Sequence, residues 1–189
     1  MQANKIHGNS LPLTQSYFQG ATDVPLIDKT IGQYLDAIVD NNPDHPAIIV
    51  NHQNISLTYK EYQQQINQLA MGLLSLGVKP GDRVGIWSPN NIEWCLTQFA
   101  TAKIGAIMVC INPAYRPSEL KYALNSVECS TLITASEFKA SNYISMLNEL
   151  APELKSSHAG ELNLNALPHL KNIIRIGNEP APGMFSFDD

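Results

Sequence analysis

Few residues in this chain have both the type and the spacing to do chemistry. Gly77, Gly81 and Gly85 fall within nine residues of one another in SLGVKPGDRVGIWSPNN (75–91). Glycines packed this closely can bring backbone N–H groups onto a phosphate. Tyr115 and Arg116 form an aromatic–cation pair suited to a planar or anionic ligand, and Lys139 is a further cation downstream. Asp36 and Asp40, four apart, have the spacing to hold a cation or simply to be a solvated helix face. The five histidines, His7, His45, His52, His158 and His169, are too scattered to read as a ligand set. Cys95, Cys110 and Cys129 lack C-x-x-C spacing and sit in or beside apolar segments, as reduced core cysteines do. No G-x-x-x-x-G-K-[ST], G-x-G-x-x-G, H-E-x-x-H or G-x-S-x-G pattern occurs. The residues alone assign no catalytic and no metal site.

What these residues can do depends on the elements that carry them. Thr30 with Gln33, and Thr58 with Glu61, have capping-box spacing and start two helices. The first carries Ile31, Tyr34, Leu35, Ile38 and Val39 on one face, and the second Tyr62, Ile66, Leu69, Ala70, Leu73 and Leu74. AIIV and ISLT between them read as a hairpin, and Gly77 closes the second helix. Then RVGIWS, AIMVCIN, STLITA and KNIIRIG read as strands. NIEWCLTQFATAKIG, PSELKYALNSV and SNYISMLNELAPEL read as the helices between them, and NEPAPGMFSFDD trails off. Short, continuously apolar strands alternating with helices predict an α/β fold, a parallel sheet covered by helices on both faces. Ligands bind such sheets at the carboxyl ends of the strands. The loops that matter are therefore SPNN (88–91), NPAYR (112–116) and ASEFK (135–139). Gly77 and Gly81 precede the strand RVGIWS and Gly85 sits inside it, so the glycines lie away from that edge. A phosphate loop would follow the strand, where the sequence has only SPNN. At the edge, Tyr115 and Arg116 either meet a ligand, or Asn112-Pro113 makes a turn while Tyr115 packs and Arg116 is solvated.

Composition narrows the function classes. The 189 residues are 44% hydrophobic and 15% charged, with a net charge of −5, which leaves no basic footprint for nucleic acid. The most apolar window, WCLTQFATAKIGAIMVCI, is interrupted by Gln98, Lys103 and Gly105, so no membrane span is expected. The first 20 residues, polar and without a signal-peptide core, read as a flexible arm, and a cytoplasmic protein is expected.

LTYKEY (57–62) and the long run from GLLSLGVKPGD to STLIT resemble the core motifs of the adenylate-forming (AMP-binding) enzymes. SYFQGATDVPLIDKTIGQYLDAIVDNNPDHPAIIV is similar to the lead-in of the medium-chain fatty-acyl-CoA synthetase group. The resemblance runs from about Ser16 to the end of the chain. It implies residues 1–20 as an arm, 21–154 as the N-terminal α/β subdomain of an AMP-binding domain, and 155–189 as a linker with one further, truncated strand. It also implies a parent acid–thiol ligase using ATP, coenzyme A and magnesium on a fatty acid. The phosphate loop, ribose-binding Asp, metal-binding Glu and C-terminal domain of that family have no match here. On this reading the chain is an inactive fragment lacking its downstream AMP-binding and C-terminal domains, with no cofactor bound. Pro113, Ala114 and Lys139 are the positions the resemblance places near coenzyme A. Another adenylate-forming ligase, such as an aryl-CoA ligase or a peptide-synthetase adenylation domain, and a freestanding α/β binding module are the competing readings.

Overall fold

The computed structural model describes residues 20–177 and 179–188, so the arm expected over residues 1–20 lies almost wholly outside the described residues. The chain runs α1 (Ile31–Asn41), β1 (Pro46–Val50), β2 (Ile55–Thr58), α2 (Tyr59–Ser75), β3 (Arg83–Trp87), α3 (Ile92–Ile104) and β4 (Ile107–Cys110). It continues through α4 (Pro117–Ser126), β5 (Thr131–Thr134), β6 (Glu137–Phe138), β7 (Ser141–Asn142), α5 (Tyr143–Leu150), β8 (Asn172–Arg175) and β9 (Phe185–Ser186).

Local chemistry sets the helix starts. The Thr30 hydroxyl accepts from the Gln33 N–H at 3.2 Å, and Gln33 Oε1 accepts from the Thr30 N–H at 2.9 Å. Thr58 and Glu61 repeat the exchange at 3.3 and 2.8 Å. Each box satisfies two backbone donors that a helix start leaves unpaired. Gly77 takes φ +82°, the left-handed turn that ends α2.

Five strands form one parallel sheet in the order β4-β3-β5-β8-β9. Residues alternate between its faces, as strand geometry requires. Val84, Ile86, Ile133 and Ile174 meet α1, α2 and α3 through Leu35, Ile66, Leu73 and Leu96. Trp87, Leu132 and Ile173 meet α4 and α5 through Leu120, Leu124 and Leu147. Gly85 sits in β3 where a Cβ would lie 3.0 Å from Ile111 Cδ1 and 3.1 Å from Cys129 Sγ. The strands β1 and β2 pair as the expected antiparallel hairpin, beside the main sheet.

The structure departs from the sequence reading in four places. The buried stripe of α2 is Tyr62, Ile66, Ala70 and Leu73, while Leu74 is 51% exposed. Ile31 and Tyr34 of α1 are likewise exposed, because α1 packs through Leu35 and Val39. The helix expected over 141–154 is shorter. Asn142 caps it through the Ser145 N–H at 2.8 Å, and Pro152 diverts the chain into a 3₁₀ turn over Pro152–Ser156. The terminal segment also does not simply trail off: Phe185–Ser186 pairs in parallel with β8, whose free edge receives it.

Candidate functional site

Parallel pairing brings the ends of β3, β4, β5, β8 and β9 to one edge, and the loops 88–91, 111–116 and 135–142 lie there together. From β3 the chain leaves through α3 to β4 on one side. From β5 it leaves through α5 to β8 on the other. Where neighbouring strands send their connections in opposite directions, a crevice opens between their ends. Here that crevice lies between the loops after Trp87 and after Thr134.

Within the 88–91 loop, the Ser88 and Asn91 side chains are held by local hydrogen bonds. Buried Ser88 donates to the Pro89 carbonyl at 2.9 Å and accepts from Asn91 Nδ2 at 2.8 Å. Asn91 Oδ1 in turn caps α3 at the Trp94 N–H, 2.8 Å away. The exposed Asn90 enters none of these bonds, and the loop carries no glycine or cation to meet a phosphate.

The 112–116 loop is held from several sides. Asn112 Oδ1 accepts from the Ala114 N–H at 2.9 Å, the Trp87 indole N–H donates to the Asn112 carbonyl at 3.2 Å, and the Tyr143 hydroxyl donates to the Pro113 carbonyl. Burial pushes the Tyr143 phenol up to about 12, so it remains a donor at neutral pH. Ala114 is exposed and Pro113 half-buried. Tyr115 packs against the α4–α5 core, as the packing alternative for this residue required. Arg116 is exposed, and its Nη1 donates to Ser141 Oγ at 3.1 Å, which brings the 112–116 loop beside the β6–β7 hairpin. The positive start of α4 is already met by a carboxylate, because Glu119 Oε2 accepts from the Arg116 N–H at 2.8 Å.

Lys139 stands exposed in the β6–β7 turn at φ +53°, with its ammonium 5.2 Å from the centre of the Phe138 ring. The edge therefore carries two exposed cations, Arg116 and Lys139, on adjoining segments. Pro113, Ala114 and Lys139 are thus brought to one edge, Pro113 through its backbone rather than a reactive side chain.

A third cation there escaped sequence reasoning. Arg175 ends β8 at 6% exposure, with Nη1 donating to Ser136 Oγ at 3.3 Å and Nη2 to the Gly177 carbonyl at 3.1 Å. Its only signal in the sequence is a charge closing the otherwise apolar run IIR. Two other candidates dissolve. Asp36 is taken by an ion pair with Lys103, and Asp40 is exposed on α1. Among the described residues no group of three or more His, Cys, Asp or Glu side chains is placed to hold a metal ion. A groove of about 690 Å³ lies between α2 and β9, lined by Leu69, Leu73, Leu76, Phe185 and Phe187, and shares no residue with the three edge loops. The edge presents two exposed cations, and among the described residues no nucleophile–base pair stands in it.

Residues 35–178 match the family described as AMP-binding enzyme. The chain is 40% identical over 182 residues to the medium-chain acyl-CoA ligase ACSF2, mitochondrial, of Mus musculus, which covers 96% of this chain and 29% of that protein. The Homo sapiens protein of the same name is 38% identical over 174 residues, covering 92% and 28%. Among solved structures, the anthranilate CoA ligase AuaEII in complex with anthranoyl-AMP aligns with a TM-score of 0.70 at 25% identity, over 90% of this chain and 29% of that one. This chain spans less than a third of the length of these relatives.

Proposed function

Because the chain belongs to the AMP-binding enzyme family, we propose that it is the N-terminal part of a fatty-acyl-CoA ligase and that it contributes the coenzyme A edge of that enzyme. The observation that carries this reading is the 40% identity to a medium-chain acyl-CoA ligase over 96% of the chain. In the reaction proposed for the whole enzyme, a carboxylate oxygen bonds to the α-phosphorus of ATP and the bond to pyrophosphate breaks. The coenzyme A thiol, losing its proton, then bonds to the acyl carbon and AMP leaves. Magnesium would offset charge on the phosphates. The described residues offer no donor set that fits it, and no step is routed through it on this chain.

Arg116 and Lys139 fit the anionic part of coenzyme A, and Ala114, in the same loop as Arg116, is exposed. The 88–91 loop has no glycine or lysine for a triphosphate, and on this reading ATP is held by sequence other than this chain and the chain alone is inactive. The cytoplasmic placement rests on the three unpaired thiols Cys95, Cys110 and Cys129. The mitochondrial address in the relatives' name meets the same thiol requirement, and cell fractionation separates the two. No described helix is long and apolar enough to cross a membrane.

The likeness to the anthranilate ligase favours a second reading, an aryl-CoA ligase. One assay decides between them. The longer protein carrying this chain, given ATP, magnesium, coenzyme A and a panel of acids, should release pyrophosphate fastest with medium-chain fatty acids. Release with aromatic acids alone would select the second reading, and no release with any acid would overturn both.

A further inference from the structure

Trp87 and Tyr143 belong to different elements, the end of β3 and the start of α5, yet their rings stack. The ring centres are 3.6 Å apart and the planes 6° from parallel, and both residues have 0% exposure. A buried indole N–H or phenol needs a partner, and a core offers many. Here both find the same loop. The Trp87 N–H reaches the Asn112 carbonyl and the Tyr143 hydroxyl reaches the next carbonyl along, that of Pro113. Arg116, at the far end of that loop, reaches Ser141 in the hairpin that also carries Lys139. Strand-end loops are ordinarily the most mobile part of such a sheet. This one is tied to β3, to α5 and to the neighbouring hairpin.

We infer that the Trp87–Tyr143 stack is a positioning device for coenzyme A, fixing the 112–116 loop against the 137–142 hairpin so that Arg116 and Lys139 stand preorganised at one edge. The inference rests on the coenzyme A reading above. Neither ring meets the ligand; both act through the loop. A surface already ordered before the ligand arrives loses less entropy on binding, so the gain appears as affinity for that ligand alone. Core packing by itself would make a different prediction, because loosening it harms every step together.

Tyr143→Phe tests this with little disturbance, since it keeps the ring and the stack and removes one hydroxyl. In the longer ligase carrying this chain, the KM for coenzyme A should rise about 3- to 10-fold, the effect of losing one hydrogen bond of ordinary strength. The KM for ATP and the rate of ATP–pyrophosphate exchange should stay within about twofold, the scatter expected of a contact they do not use. Trp87→Phe, which removes the other donor, should show the same split. An unchanged KM for coenzyme A, or an equal loss in both half-reactions, would overturn the inference. A second readout needs no activity. In this chain, Tyr143→Phe should speed hydrogen exchange at the amides of Ala114 and Tyr115 and leave those of β5 unchanged; unaltered exchange at the loop would sink the tether. If the wild-type ligase shows no ATP–pyrophosphate exchange, the ligase reading fails, and hydrogen exchange still decides the tether.

Discussion

At Asp36, burial works against the carboxylate while hydrogen bonds from Lys103 and Gln63, with the Lys103 charge, work for it. The bonds win, and the group lies below its ordinary value. The charged form is thus favoured on folding, so the pair contributes stability above about pH 3.9, the free carboxylate's value, and that contribution is lost as pH falls through the lower folded value. Asp36→Asn should therefore flatten the acid side of the stability curve. Urea midpoints between pH 3 and 7 should fall less steeply in the variant than in the wild type, and parallel curves would show that the pair does not stabilise the fold. The same ion pair explains why Asp36 and Asp40 do not form a cation site despite their spacing.

Elements in this fold are decided by how closely they approach. In α2, Gly72 has no heavy atom within 4 Å of a Cβ, so an alanine there gains helix propensity without a clash. In β3, a Cβ on Gly85 would press on Ile111, Cys129 and Leu132 at 3.0 to 3.3 Å. One substitution should then have opposite signs at two sites. Gly72→Ala should stabilise by about 0.5–1 kcal/mol, and Gly85→Ala should destabilise by about 1–3 kcal/mol through overpacking. Chemical denaturation of the two variants measures both, and a stable Gly85→Ala would mean that β3 is packed less tightly against Ile111, Cys129 and Leu132 than the distances indicate. The glycines of the stretch 75–91 therefore serve a helix end at Gly77, a turn at Gly81 and a close strand contact at Gly85, and none of them stands in the 88–91 loop.

For the whole molecule, parallel pairing places the carboxyl ends of the five main-sheet strands on one side, the side proposed above to meet coenzyme A. It holds Arg116 and Lys139 exposed, Arg175 buried, and an 88–91 loop whose Ser88 and Asn91 bond locally. Calorimetric titration of ATP into this chain should give no binding at micromolar nucleotide. Micromolar affinity would place the nucleotide on this edge and overturn the division of roles proposed above. Met71 lines the α2–β9 groove and is exposed, as is Leu74 on the same helix.

What the sequence determined by itself was whatever closes within a few residues. Both capping boxes, the Gly77 turn, the alternation of strand and helix and the three edge loops were legible because their hydrogen bonds join near neighbours or follow from a period. The tertiary structure alone decided the rest. Strand β9 has two residues and no periodicity, and it exists because β8 leaves an edge open to it. Leu74 has the spacing of a core residue but stays half exposed, because α2 packs through Tyr62, Ile66, Ala70 and Leu73. Arg175 reads as an ordinary charge until the sheet buries it beside Ser136. Trp87 and Tyr143 lie in segments that meet only after right-handed crossovers have stacked α5 on the face of the sheet below β3. No local pattern records that meeting, and it is the contact that ties the 112–116 loop in place.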